Sequence, residues 1–182
     1  LQERGDEVVH LVRRDPTEPH ERRIDPDQGE LEPGALDGVT AVVNLAGVLH
    51  SRRGRPDERG PNDYGPDFAR AHVELPQSII SACREHGVKR VLHMSALGAD
   101  PAGPSMYQRS KGDGERVVMN SELDWTVFRP SVVFGPQDHF LNLFARMQRM
   151  APFVPLACAD ARFQPVVGKT DVQVQAAPLV TD

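Results

Sequence analysis

Short apolar runs alternate with stretches of helical period along this chain, and that alternation constrains its fold more than any other feature. Ala41 to Ala46 (Ala-Val-Val-Asn-Leu-Ala), Lys89 to Met94 and Trp125 to Arg129 read as buried strands, and Glu7 to Arg13 is an earlier β-type run. Phe68 to His86 has helical spacing, with Phe68, His72, Leu75 and Ile79 on one stripe and Ala69, Val73, Ile80 and Cys83 beside it. Pro76 predicts a kink or a restart there, and Gly87 closes the stretch. Ser105 to Asn120 is a second helix, in which Gly112 and Gly114 each cost up to about 1 kcal/mol. Strand, helix, strand, helix, strand is the pattern of a parallel α/β sheet wrapped by helices. Short strands of apolar residues suit a sheet covered on both faces. Ligands of such sheets bind past the carboxyl ends of the strands. Arg13-Arg14, Asn44 to Gly47, Ser95 and Arg129-Pro130 all stand at those ends.

The connecting segments are polar. Asp15 to Gly34 reads as loop with a short strand near Arg23-Ile24, and His50 to Asp67 as a surface loop rich in Arg, Gly, Pro and Asp. Asp138 is a plausible N-cap for a helix to Met150 that would bury Phe140, Leu141, Phe144 and Met147. Ala151 to Asp182 reads as irregular.

Composition removes several classes of function. A length of 182 residues suits one domain with a real core. A formal net charge of -5 argues against a nucleic-acid partner held by phosphate attraction. Two cysteines and seven histidines show no metal-type spacing, so no metal site is expected. No run of 18 apolar residues and no leader is visible, which fits a reducing, cytoplasmic location.

Tyr107-Gln-Arg-Ser-Lys111 carries the chemistry. It puts a phenol and an ammonium one helical turn apart on one face. A lysine charge beside a phenol favours the phenolate and so makes a usable acid or base near neutral pH. Taken alone, the spacing more often marks an ordinary surface pair on a helix.

Three motifs in order resemble the short-chain dehydrogenase/reductase superfamily, in its extended and atypical branches. They are Asn44-Leu45-Ala46-Gly47, Tyr107-x-x-x-Lys111 and Arg129-Pro130-Ser-Val-Val133-Phe-Gly135. His93-Met-Ser-Ala-Leu-Gly-Ala99, Phe140-Leu-Asn-Leu-Phe144 and Arg162-Phe-Gln-Pro165 are similar to a bacterial group related to the nucleotide-binding accessory subunit of respiratory complex I. The resemblance implies a Rossmann-like, doubly wound parallel sheet that binds NAD(P)(H). It implies Tyr107, Lys111 and Ser95 as catalytic residues. It implies cofactor contacts from Arg13, Asn44, Leu45, Ala46, Gly47, Met94, Tyr107, Lys111, Arg129, Pro130 and Val133. Arg13 would suit a 2′-phosphate, so NADP is the expected dinucleotide and NAD the alternative, with Asp15 close by.

The resemblance leaves three functions open. One is oxidoreductase or epimerase chemistry on an unknown small molecule. A second is a cofactor-holding structural or assembly protein, associated with a respiratory complex and peripheral to the inner membrane. A sensor of dinucleotide occupancy is a third. Ser95-Ala96 stands where active relatives carry Ser-Ser or Ser-Thr, and His72 where they often carry Asn. The family's first strand and Gly-rich loop have no counterpart in the sequence. The expectation is therefore a partial NAD(P)-binding domain over residues 1–165, an irregular tail over 166–182, and a longer parent protein.

Overall fold

A computed structural model of the chain describes residues 5–12, 15–24, 31–52, 63–131, 133–134 and 166–167. The first strand, β1 (His10–Val12), pairs in parallel with β2 (Glu21–Arg23). A second parallel sheet has the order β3 (Ala41–Asn44), β4 (Arg90–Met94), β5 (Asp124–Phe128). A third pairing joins β6 (Val133–Phe134) to β7 (Val166–Val167), also in parallel. All these ladders are parallel, as the alternation of runs predicts. β1, β3 and β4 are shorter than their apolar runs, while β5 keeps five residues and starts one position earlier than its run. Val166–Val167 is a short strand inside the stretch read as irregular. Arg13, Arg14, the helix expected at 138–150 and the domain boundary at 165 lie outside the described residues.

Between β3 and β4 the helical stretch has three parts: α1 (Pro66–Ala69), a π-helical turn (Arg70–Glu74) and α2 (Leu75–Glu85). Of the kink or restart expected at Pro76, the structure shows the restart: α2 begins at Leu75 with Pro76 in its first turn, just after the wider π turn. Proline has no N–H for the carbonyl of His72 and its ring crowds that carbonyl. The π turn, in which Leu75 N–H donates to the Arg70 carbonyl, takes up the slack just upstream. At the far end Val88 N–H reaches the Cys83 carbonyl at 2.8 Å and Gly87 N–H the Arg84 carbonyl at 3.4 Å. Gly87 has φ of 70°, the left-handed conformation this closure requires.

Helix α2 buries Leu75, Ile79 and Cys83 against Val42 of β3 and Val91 of β4. Each such side chain contributes roughly 1.5–3 kcal/mol when fully buried. A second cluster, Tyr64, Phe68, Ala69 and Val73, packs α1 and the π turn against Met106, Tyr107 and Val117 of α3 (Met106–Met119). Burial alternates along β3 and β4, so among the described residues one sheet face is covered. Val43, on the other face, is 45% exposed, where the sequence suggests cover on both. The carboxyl ends of β3, β4 and β5 lie side by side, since Asn44 is in register with His93, and Met94 with Phe128.

Candidate dinucleotide site

Helix α3 is held at its start by a reciprocal cap. Ser105 Oγ accepts from Gln108 N–H at 3.1 Å, and Gln108 Oε1 accepts from Ser105 N–H at 3.3 Å. This Ser-x-x-Gln capping box, legible in the sequence, fixes the rotation of the first turn and so the direction of Tyr107 and Lys111. The three residues between that pair each have a task. Gln108 closes the cap. Arg109 forks onto Asp63, at 2.5 and 3.1 Å, and reaches the Gly103 carbonyl at 3.0 Å. Ser110 Oγ lies 2.8 Å from His72 Nδ1 and donates to the Tyr107 carbonyl at 3.0 Å.

Lys111 is 5% exposed and its Nζ donates to the Met94 carbonyl at 3.2 Å. Burial pushes its pKa down to about 8, with Glu115 opposing the shift. The same ammonium borders Gly47, where a Cβ would stand 3.1 Å from Nζ and 3.6 Å from His72 Nε2. A methyl at Gly47 would push Nζ back by a few tenths of an ångström, and the Gly47 backbone is exposed.

Tyr107 packs edge-on against the rings of Phe68 and His72, with centroids 5.9 and 5.5 Å apart. Burial raises its phenol pKa. The spacing argument expects Lys111 to lower it, and the structure reverses that expectation. The ammonium turns towards Met94 at the sheet, so desolvation prevails over the charge.

The turn after β3 is shaped by Asn44. Its Oδ1 accepts from Ala46 N–H at 3.0 Å, and its Nδ2 lies 3.1 Å from His93 Nδ1. Leu45 projects outwards, 66% exposed, and Ala46 is half-buried. Ser95 N–H donates to the Phe128 carbonyl at 2.8 Å, tying β4 to β5, while Leu97 N–H donates to the Pro130 carbonyl at 2.8 Å. Ser95 Oγ is buried and has no hydrogen-bond partner among the described residues, so no hydrogen bond joins it to Tyr107. Arg129 forks onto the buried carboxylate of Glu115, with Nε at 2.8 Å from Oε1 and Nη2 on Oε2. Its guanidinium thus ties the end of β5 to α3. Val133 lies in β6, in register with Val166, and Arg13 is outside the described residues.

Gly47, Met94 and Lys111 therefore meet at one place, beside the Asn44 turn, while Tyr107 stands one turn earlier on α3 against Phe68 and His72. Sequence reasoning missed the supporting residues Asp63, Arg109, Ser110 and Glu115. A buried charge or hydroxyl partnered across 14 to 46 positions leaves no periodic signal. Among the described residues no cluster of three or more His, Cys, Asp or Glu is placed to hold a metal ion. No helix among them is long and apolar enough to cross a membrane.

Comparison with known proteins accords with this geometry. The family profile described as NAD(P)H-binding matches residues 1–139. The mitochondrial NADH dehydrogenase [ubiquinone] 1 alpha subcomplex subunit 9 of Arabidopsis thaliana is 27% identical over 173 residues, 91% of this chain and 42% of the relative. A ceramide reductase of Caulobacter vibrioides is 32% identical over 178 residues, 93% of this chain and 51% of the relative. The chain thus spans about half or less of the length of these curated relatives. The solved structure of MoeE5 in complex with UDP-glucuronic acid and NAD has a TM-score of 0.57 at 24% identity, covering 81% of this chain and 54% of that one. That likeness shows a Rossmann-like α/β fold. A parallel sheet with Lys111 and the Asn44–Gly47 turn at its carboxyl edge, and a family match over most of its length, make this chain a member of the NAD(P)H-binding family.

Proposed function

We propose that the chain holds a nicotinamide dinucleotide across the carboxyl ends of β3, β4 and β5. In the whole protein it would serve oxidoreductase or epimerase chemistry on a small molecule. The observation that carries this reading is the place of Lys111. One buried ammonium touches the end of β4 through the Met94 carbonyl and borders the Gly47 turn after β3. A dinucleotide laid there would find a cationic donor for its nicotinamide ribose at Lys111 and a backbone free of Cβ at Gly47 on the side of its adenine half.

The residues present fit a dinucleotide, and the bound group would supply the hydride chemistry. Lys111 would hold the nicotinamide ribose. The Asn44–Gly47 turn would border the adenine ribose, and Arg129, Pro130 and Val133 would shape the nicotinamide side. Tyr107 would exchange a proton with a substrate hydroxyl or carbonyl at its phenol oxygen. Burial keeps that phenol protonated at neutral pH, so its resting role is proton donor. Arg13 favours NADP(H) over NAD(H) through a 2′-phosphate.

The test is Tyr107→Phe in the full-length protein. Turnover should fall about 10²–10⁴-fold while dinucleotide affinity is kept. Unchanged turnover would remove Tyr107 from the chemistry. Arg13→Ala should weaken NADPH and leave NADH affinity unchanged; equal losses would argue against the 2′-phosphate.

A second reading is a cofactor-holding subunit without turnover. One observation favours it: the likeness to subunit 9 of the respiratory NADH dehydrogenase. In that case Tyr107→Phe has no activity to remove, and the full-length protein should co-purify with a membrane respiratory complex.

A further inference from the structure

His72 is 1% exposed and sits in the π turn, between the turn after β3 and the first turns of α3. Its two ring nitrogens have different neighbours. Nε2 lies 3.2 Å from Val48 N, and a backbone N–H can only donate. Nε2 must then carry the lone pair and Nδ1 the proton. Nδ1–H is thereby a donor to Ser110 Oγ at 2.8 Å. Ser110 Oγ passes its own proton to the Tyr107 carbonyl at 3.0 Å. The result is a directed chain of bonds from Val48 N–H through His72 and Ser110 to the backbone of Tyr107.

The ring has little freedom to leave this arrangement. Phe68 stacks on it with centroids 5.1 Å apart, and Tyr107 meets it edge-on. Gly47 borders the ring on another side, where a Cβ would stand in ordinary contact, 3.6 Å from Nε2. An Nε2–H would confront the Val48 N–H, so both the alternative tautomer and the imidazolium break the chain.

We propose that His72 is a positioning residue that fixes the Gly47–Val48 turn to the Tyr107–Lys111 turn of α3, as a neutral imidazole with its proton on Nδ1. It touches neither reacting atoms nor cofactor in this role; it holds the two elements that would. Burial, helped by the nearby Lys111 charge, pushes its pKa down to about 3, which agrees with a neutral ring.

The effect on dinucleotide affinity rests on the function proposed above; the tautomer does not. Nitrogen NMR of the uniformly labelled full-length protein should therefore come first. It should show a protonated Nδ1, a bare Nε2 and a coupling across the hydrogen bond between Val48 N and Nε2. A proton on Nε2, or a ring that titrates near the ordinary histidine value, overturns the proposal even if no dinucleotide binds. Substitutions then read the consequence. His72→Gln keeps an acceptor for Val48, and His72→Phe keeps the ring and neither bond. The Phe variant should bind NADPH about tenfold more weakly, the equivalent of one lost hydrogen bond, and the Gln variant should recover most of that loss. Wild-type affinity in a folded Phe variant overturns the proposal. Should the Phe variant not fold, the Gln variant and the parent's tautomer still decide it.

Discussion

Lys111 holds its charge where desolvation works against it, and the residues that compensate are specific. Glu115, one turn further along α3, is 2% exposed and favours the ammonium, while the Arg129 fork holds Glu115 in place. Replacing Glu115 by Gln should lower the Lys111 pKa further below about 8 and leave Arg129 without its carboxylate. The expected loss of stability is about 1–3 kcal/mol. Following the Lys111 side-chain resonances through a pH titration checks the first part. An unshifted midpoint would mean that Glu115 does not sense Lys111. The spacing of Tyr107 and Lys111 was readable as a shared helix face, because a four-residue offset fixes direction. Where Nζ ends up was not readable. The Met94 carbonyl that takes it lies 17 positions away on another element.

Helix α3 meets the π turn at glycine. A Cβ on Gly114 would overlap the His72 carbonyl oxygen, and one on Gly112 would overlap Pro101. The sequence presents both glycines as weak points in a helix. The structure makes Gly114 the point of closest approach between α3 and the π turn. The carbonyl it faces is the one whose helical donor Pro76 cannot supply. Gly114→Ala should therefore destabilise by about 3 kcal/mol, outweighing the roughly 1 kcal/mol that alanine gains in helix propensity. Urea denaturation of the two proteins measures the difference, and a more stable alanine variant would contradict the packing. The ends of α3 were legible because caps are local: Ser105 and Gln108 are three residues apart, and Asn120 follows the last turn. The π turn was not legible. Pro76 signals that hydrogen bonding must change, but packing against α3 decides where the slack goes.

Across the whole molecule, two buried histidines couple stability to pH. Burial lowers His72 to about 3 and His93 to about 4, from an ordinary value of 6.5. Both folded values lie below the unfolded one, so the unfolded chain takes up protons first as pH falls. The stabilisation is complete above pH 6.5 and is lost progressively towards pH 4 and then 3. Each histidine contributes a slope of about 1.4 kcal/mol per pH unit inside its window. Unfolding free energy should fall by about 3 kcal/mol between about pH 6.5 and pH 5. Denaturant titrations at the two pH values measure this, and a flat profile would place both rings in solvent. At this scale the α/β class and the parallel sense of the strands were legible, since alternation encodes both. Uneven cover of the sheet was not, because an apolar run such as Ala41 to Ala46 gives no sign of which face a helix will take.

The same parallel ladders have a kinetic consequence. Asn44 and His93, partners across β3 and β4, are 49 positions apart, and Arg90 and Asp124, across β4 and β5, are 34 apart. A long loop must close before either ladder forms its first bond, and long-range pairing of this kind slows folding. Helix α3 has the opposite character, since its cap and its turns join residues three and four apart. The order of events follows from that contrast: α3 can form early and transiently, and the sheet sets the pace. The site then matures last, because Lys111 finds the Met94 carbonyl and the Gly47 turn only after β3 and β4 have come into register.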